Sequence, residues 1–285
     1  MNKYATQSGQ VVLITLLVLT IATTVALSLI SRTTTDTTIT NQVEESSRAF
    51  NAAEAGVEEA LKTGLGTNNL AVSIVGAAGV TYKVVVNNIG GATGIYQFPK
   101  KIQQDETETL WLVNHDDITG LPKIQPTYIA PSIDVCWSDE TVTPAIVVTL
   151  LYQESSDASY RVAKIAFDPD AVRAESNQFT STYIAGGCGG TTATAYKETI
   201  TFNDLNASIQ PAQDTLIALR VRPVYSDATI DVNTGVNTIP KQGLSIESTG
   251  TTTNGINRKI LVYQQYRAPA TVFDSALYSQ SDLVQ

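Results

Sequence analysis

Positive charge is scarce in this sequence. Its 285 residues include 18 Lys and Arg against 27 Asp and Glu, which gives a formal net charge of −9. The few basic residues form no cluster, whereas binding to nucleic-acid phosphates requires a concentrated basic surface. We therefore expect no nucleic-acid partner.

Side chains that commonly carry catalysis are also scarce. The chain has 1 histidine, His115, whose neighbours at 114–117 match neither a catalytic triad nor a zinc site, so we expect a polar loop there. The run 168–170 lacks the Gly and distal Glu of a calcium loop and predicts a turn. The Gly-rich run 186–190 lacks the Lys of a phosphate loop and predicts a surface loop. We expect no enzymatic activity, no cofactor and no metal site.

The chain has 2 cysteines, Cys136 and Cys188. In an oxidising compartment an isolated pair of this kind can form a disulfide. The alternative is two buried free thiols, and sequence spacing does not distinguish the two.

The sequence has a single long hydrophobic run, at residues 11–30. It contains no charged residue, no Pro and no Gly, and about 20 helical residues span the ~30 Å hydrocarbon core of a bilayer. The run exceeds the apolar core of an ordinary secretory signal. We predict a transmembrane segment at 11–30 after a short polar leader at 1–9.

Helical periodicity continues beyond this segment, and no Pro interrupts residues 10–62. One helical face is marked by residues that recur at spacings of three and four: Ile39, Val43, Ser46, Phe50, Ala53, Val57, Ala60 and Leu61. This predicts one helix over 10–63, and we expect Ile39, Val43, Phe50, Val57 and Leu61 to lie under a sheet. If the Phe50 ring is buried there, Phe50→Ala should cost about 3–5 kcal/mol. The run TTTDTT at 33–38 disfavours helix. It predicts either a frayed turn or a segment that extends during assembly.

From residue 70 the apolar pattern changes to a period of two, separated by polar turns. This predicts an α+β protein with a mainly antiparallel β-rich head at 70–285, in which Trp111 and Trp137 pack in the core. We expect segments 80–86, 243–247 and 258–266 to form the sheet under the helix, with the middle strands as an inserted β-sandwich. The predicted strands are 80–86, 109–113, 133–137, 145–152, 160–167, 196–202, 216–224, 229–232, 243–247 and 258–266.

Two features of the first 61 residues resemble a known family. A polar leader ending in Gly9, directly before an apolar helix, resembles the organisation of type IV pilin-like proteins. The run SRAFNAAEAGVEEAL at 47–61 is similar to the AF-x-AAEAG-x-EEAL run of PilX-type minor pilins. We recognise no such signature in the β-rich remainder.

The resemblance implies a structural subunit of a type IV pilus or a type II secretion-like machine. It implies cleavage by a prepilin peptidase between Gly9 and Gln10, with Gln10 as the mature, methylated N-terminus. It also implies contact with membrane lipid before assembly and with other pilin-like subunits afterwards, through the helix. The expected location is a single-pass cytoplasmic membrane protein with an extracytoplasmic head, at the cell surface or in a pilus after assembly.

The fifth mature position departs from the pattern of major pilins. Those proteins have Glu there, and the resemblance implies that it pairs with a neighbour's N-terminal amine, whereas this chain has Ile14. We therefore expect a minor subunit that primes or caps a filament. The alternatives are a membrane-anchored adhesin with a sugar- or protein-binding β-sandwich, and an anchored exoenzyme, for which the sequence shows no catalytic constellation.

Overall fold

A single unbroken helix begins the computed structural model, which describes residues 8–274 except 69, 118, 190–192 and 206–208. Helix α1 runs over Ser8–Thr63, 56 residues, and its length is therefore about 84 Å. It ends at Gly64, where a positive φ of 69° turns the chain and the amide donates to the carbonyl of Ala60 at 2.7 Å. The predicted helix is confirmed, and it begins two residues before the predicted start.

The threonine-rich segment at 33–38 is helical in the structure. Hydroxyls donate to the carbonyl four residues earlier, for example from Thr34 to Ile30 at 2.9 Å and from Thr37 to Thr33 at 2.8 Å. This back-bonding satisfies the hydroxyls without breaking the helix. The expectation of a frayed turn is therefore wrong, whereas extension during assembly stays a prediction.

Strands dominate the rest of the described chain, and the ten predicted strands all occur. The sequence pattern missed three short strands and two short helices. The strands are β1 (Val72–Ser73), β2 (Val80–Gly90), β3 (Thr93–Gln97), β4 (Glu108–Trp111), β5 (Ser132–Trp137), β6 (Ala145–Gln153), β7 (Tyr160–Phe167), β8 (Ile184–Ala185), β9 (Tyr196–Thr201), β10 (Thr215–Val224), β11 (Ile230–Thr238), β12 (Lys241–Thr252) and β13 (Asn257–Gln265). The helices are α2 (Ala171–Asn177) and α3 (Phe202–Leu205), and a 3-10 turn covers Thr271–Asp274.

The strands form three sheets. Their orders are β1-β2-β12-β13, β4-β10-β6-β7 and β3-β11-β5-β9-β8. Pairs such as β10 with β6, β5 with β9 and β11 with β5 are antiparallel. The first sheet joins β2 to the last two strands, as expected, so the strands between them are an insertion in this sheet.

The chain divides into two compact units. One comprises residues 1–86 and 246–262, and the other comprises 87–245 and 263–285. The first therefore contains α1 with most of the first sheet, and the second contains the inserted strands. These units do not follow the linear division at residue 70.

In the first unit, small side chains form the contact between α1 and the sheet. Ala49, Ala52, Ala53 and Ala60 are at most 1% exposed. A methyl group on Gly250 of β12 would overlap the carbonyl oxygen of Ala49, so the two backbones lie too close for larger residues. Gly56 is equally restricted, because a Cβ there would lie 2.8 Å from side-chain atoms of Tyr82 and Val84.

Of the predicted face of α1, Ala53, Val57 and Ala60 are buried. The expectation that its large side chains lie under the sheet is wrong except at Val57, which is 8% exposed. Phe50 is 45% exposed and Leu61 43%, and Ile39 and Val43 are more exposed still. The buried stripe is rotated by roughly a quarter turn from the large apolar residues. Close backbone approach selects Ala and Gly for the contact, although they are less hydrophobic than Phe or Leu.

In the second unit, strands of the four- and five-stranded sheets share one buried core. The sheet β4-β10-β6-β7 contributes Leu150 and Leu219, and the five-stranded sheet contributes Val135, Trp137 and Val232. Both tryptophans are buried as predicted: Trp137 is fully buried, and Trp111 is 7% exposed.

Candidate functional site

The first half of α1 presents a long exposed apolar surface. Every residue from 11 to 44 is exposed, and an 18-residue window reaches a mean hydropathy of 2.5 with none of it buried. Among the described residues, this is the one helix long and apolar enough to cross a membrane. The length and composition of this segment therefore favour membrane anchoring.

Hydroxyl groups within this segment are satisfied inside the helix. Thr15 donates to the carbonyl of Val12 at 2.9 Å, and Thr20 donates to that of Leu17 at 2.8 Å. A polar group in lipid needs an internal partner of this kind. The hydroxyls are therefore compatible with a lipid environment.

Four apolar side chains continue the exposed surface onto the second half of α1. Ile39, Val43, Phe50 and Leu61 are exposed by 52%, 63%, 45% and 43%. Ile39, Phe50 and Leu61 follow one another at intervals of 11 residues, about three helical turns, so they line up along one face. We call these four residues the apolar stripe.

Polar contacts flank the buried face of the helix. Arg48 binds Glu45 at 3.0 Å and donates to the carbonyl of Ala78 at 2.9 Å. Arg258 of β13 donates to the hydroxyl of Ser46 at 2.8 Å. These contacts fix the rotation of the helix on the sheet and leave the apolar stripe exposed.

The predicted cleavage site lies at the start of the described helix. Gly9 and Gln10 are both helical, whereas Met1–Gln7 lie outside the described residues. Ile14, where major pilins have Glu, is 51% exposed. The first acidic residue after it is Asp36, about six helical turns further along the chain.

Cys136 and Cys188 form a disulfide in the structure, with their Cα atoms 5.7 Å apart. Cys136 is a buried residue of β5, and Cys188 belongs to the Gly-rich loop. The Cys188 amide also donates to the Thr194 hydroxyl at 3.1 Å. The disulfide thus fastens the Gly-rich loop to a core strand.

Asp168 forms a buried ion pair and not a ligand site. Arg173 approaches both of its carboxylate oxygens at 2.7 Å, and the Asn177 amide adds a further bond at 2.7 Å. Burial raises the pKa of Asp168, but the hydrogen bonds from Arg173 and Asn177 outweigh it and hold the pKa below the ordinary value. Next to it, Asp170 caps α2. Both carboxylate oxygens of Asp168 in the predicted turn thus accept hydrogen bonds from within the chain, and their role is structural.

His115 lies in the loop between β4 and β5, as expected, but its ring is buried. It is 7% exposed, and its ring stacks on Tyr266 with centroids 4.0 Å apart and planes 7° from parallel. The Trp111 ring packs nearly perpendicular to the His115 ring, with the two ring centroids 4.6 Å apart. Burial lowers the pKa of His115. Tyr266 comes from a distant part of the chain, so the local sequence gave no signal for this packing.

A polar cleft of about 290 Å³ opens over these rings in the second unit. Its rim carries Asn114, Asp117, Lys123, Gln125 and Lys241 above His115 and Tyr266. Lys241 binds Asp117 at 3.2 Å, and Lys123 binds Asp116 at 3.7 Å. No local sequence pattern marks this cleft, because its residues come together only through the fold.

The described residues contain no group of three or more His, Cys, Asp and Glu placed to hold a metal ion. Comparison of the chain with protein-family models, curated proteins and solved structures found no match.

Proposed function

We propose that this protein is a structural minor pilin or pseudopilin of a type IV pilus or a type II secretion-like machine. The apolar stripe carries the proposal. A helix that packs on its own head through Ala and Gly still exposes Ile39, Val43, Phe50 and Leu61. Exposed apolar surface of this kind marks an interaction site. Because the stripe continues an apolar segment, other helices of the same kind are its natural partners.

The run on which the family resemblance rests is also the run that packs on the sheet. Ala52, Ala53 and Gly56 lie in that run and are buried against β2 and β12. This supports a pilin-like arrangement of helix and sheet in the first unit. The shared core of the second unit supports an inserted β-sandwich.

The proposed life cycle follows from these features. Residues 11–30 anchor the chain in the cytoplasmic membrane, with the head outside the cytoplasm, where the disulfide is stable. A prepilin peptidase removes residues 1–9, and the subunit then leaves the lipid by packing its helix against other pilin-like subunits. Its role is structural and not enzymatic.

A charge on the apolar stripe tests the proposal. Phe50→Glu should leave folding intact, because the ring is half-exposed, but it should reduce recovery in the filament fraction at least about tenfold, since burying an unpaired charge is costly. The measurement is the ratio of the chain in sheared filaments to the chain in membranes. The matched control is Asn51→Glu, which adds the same charge at the next exposed position.

Equal recovery of both variants would contradict assembly through this face. Retention of wild-type chain in the membrane only, in cells that make filaments, would favour the second candidate. That candidate is a membrane-anchored surface adhesin, and the polar cleft is the observation in its favour.

A further inference from the structure

The floor of the polar cleft is fixed by aromatic stacking. Tyr266 lies parallel to His115, and Trp111 closes the stack from its edge. The buried amide of Gln242 holds this stack in place. It accepts from the Trp111 amide at 2.7 Å and donates to the Trp111 carbonyl at 2.8 Å. The cleft therefore has a rigid floor before any ligand arrives.

One side of the cleft is a closed loop. The Asp116 amide donates to the Leu121 carbonyl at 2.9 Å, and the Lys123 amide donates to the Asn114 carbonyl at 2.8 Å. The Asp116 carboxylate receives the Thr119 amide at 2.9 Å. These bonds hold the main chain beneath Asn114 and Lys123.

Charge in the cleft is balanced. Each lysine of the rim already contacts a carboxylate, Lys241 with Asp117 and Lys123 with Asp116. An anion would have to compete with these carboxylates, and a cation would have to compete with the lysines. Burial keeps His115 uncharged near neutral pH, so it adds no charge of its own.

The cleft also contains uncharged side chains that form hydrogen bonds. Asn114 and Gln125 each offer two donors and an acceptor, and the lysines and Asp117 offer charge-assisted bonds. A volume of about 290 Å³ holds roughly ten water molecules, at the small end of ligand sites. It thus suits a single ring carrying hydroxyl groups.

We propose that the polar cleft binds a neutral sugar residue beside the His115–Tyr266 stack. Its hydroxyls are bonded by Asn114, Lys123, Gln125 and the Lys241–Asp117 pair. A pyranose has this size, bears no charge and presents both donors and acceptors around one ring. The site lies in the second unit and does not depend on assembly through α1.

The test uses the full chain in a detergent without a sugar head group, so that detergent does not compete. The probes are neutral methyl glycosides of glucose, galactose, mannose and N-acetylglucosamine, with methyl glucuronide as the anionic comparison. Ligand-observed NMR measures their affinity. At least one neutral glycoside should bind, and more tightly than the glucuronide.

Two exposed positions provide the variants. Gln125→Ala and Lys123→Ala should each weaken binding about tenfold without lowering the melting temperature. Lys100→Ala is the matched control, since Lys100 is also an exposed lysine in a surface ion pair, with Glu108, but does not line the cleft. It should bind as the wild type does.

Three outcomes would overturn the inference: no neutral glycoside binds, the glucuronide binds more tightly, or the cleft variants bind as well as Lys100→Ala. The result bears on the cleft alone, since filament recovery of Phe50→Glu is measured separately.

Discussion

His115 lies in surroundings that favour its uncharged form. Burial against Trp111 and Tyr266 lowers the pKa of His115 in the folded chain, whereas in the unfolded chain its pKa is about 6.5. Below pH ~6.5 the unfolded state therefore binds more protons than the folded state. The contribution of His115 to the free energy of unfolding is complete above this pH and is lost as the pH falls towards the lower pKa of the folded chain. We expect a lower melting temperature at pH 5 than at pH 7.5.

His115→Phe keeps an aromatic ring and removes the titration, so it should flatten this dependence. The charged groups that line the cleft beside it, Lys123, Lys241 and Asp117, are the same in both proteins. Asp168 and Asp214, whose pKa values lie below the ordinary 3.8, lose their contribution only at lower pH. An equal fall in melting temperature in both proteins would show that His115 is not responsible.

Gly250 decides how closely α1 approaches the sheet. Gly250→Ala places a methyl group against the backbone of Ala49 and Ala53, which cannot move as a side-chain end can, so it should destabilise the chain by about 1–3 kcal/mol. Phe50→Ala, at a half-exposed position, should cost less than about 1 kcal/mol. Denaturant unfolding measures both, with Thr251→Ala on the neighbouring residue as the control. If Phe50→Ala lowered the free energy of unfolding more than Gly250→Ala did, the face with Phe50, and not the face with Ala49 and Ala53, would lie against the sheet.

At the scale of elements, the disulfide joins a core strand to a loop. Cys136 and Cys188 are 52 residues apart in sequence, and closing a loop of this length stabilises the folded state by about 4 kcal/mol through the entropy of the unfolded chain. The double variant Cys136→Ala, Cys188→Ala should lose stability on that scale. Unfolding of the oxidised wild type, the reduced wild type and the double variant measures this.

Reduction of the wild type serves as the control, since it breaks the bond without changing a side-chain volume. The reduced wild type and the double variant should have similar unfolding midpoints, both at a lower denaturant concentration than the oxidised wild type. Titration of two thiols per chain in unreduced, denatured protein would show that the bond is absent.

At the scale of the whole molecule, the proposed function predicts removal of a leader. Cleavage after Gly9 would remove Lys3, the one charged residue of the leader, and take the net charge from −9 to −10. We expect intact-mass analysis of protein from its native membrane to give a chain beginning at methylated Gln10. Recovery of chains that begin at Met1 would argue for a simple anchor.

Position in a filament is a second property of the whole molecule. A repeating subunit must place its N-terminal amine in an apolar bundle, where an unpaired charge is costly. With Ile14 at the expected place and Asp36 the nearest acid after it, this chain offers a neighbour's amine no carboxylate there. We therefore expect a low copy number relative to the most abundant pilin, measured by quantitative mass spectrometry of purified filaments.

A copy number comparable to that pilin would exclude a priming or capping role. Assembly that Ile14→Glu leaves unchanged would show that the missing carboxylate is not decisive.

The sequence determined the features that depend on neighbouring residues. The long helix, its end at Gly64 and ten of the strands follow from local period and turn chemistry, which act over a few residues. The joining of β2 to the last two strands was also predictable. The strands β1 and β8 were missed because two residues are too few to establish a period. The strand β3 was missed because only one of its five residues, Tyr96, is buried.

Tertiary structure alone decided which side of α1 is buried and what surrounds His115. Hydrophobicity favoured the side with Phe50 and Leu61, but Gly250, some 200 residues away in sequence, permits a closer approach that only Ala and Gly can occupy. His115 is buried because Tyr266 stacks on it, although its own neighbours are polar. In both cases the burial of a side chain depends on a residue far away in sequence, and local patterns do not contain that information.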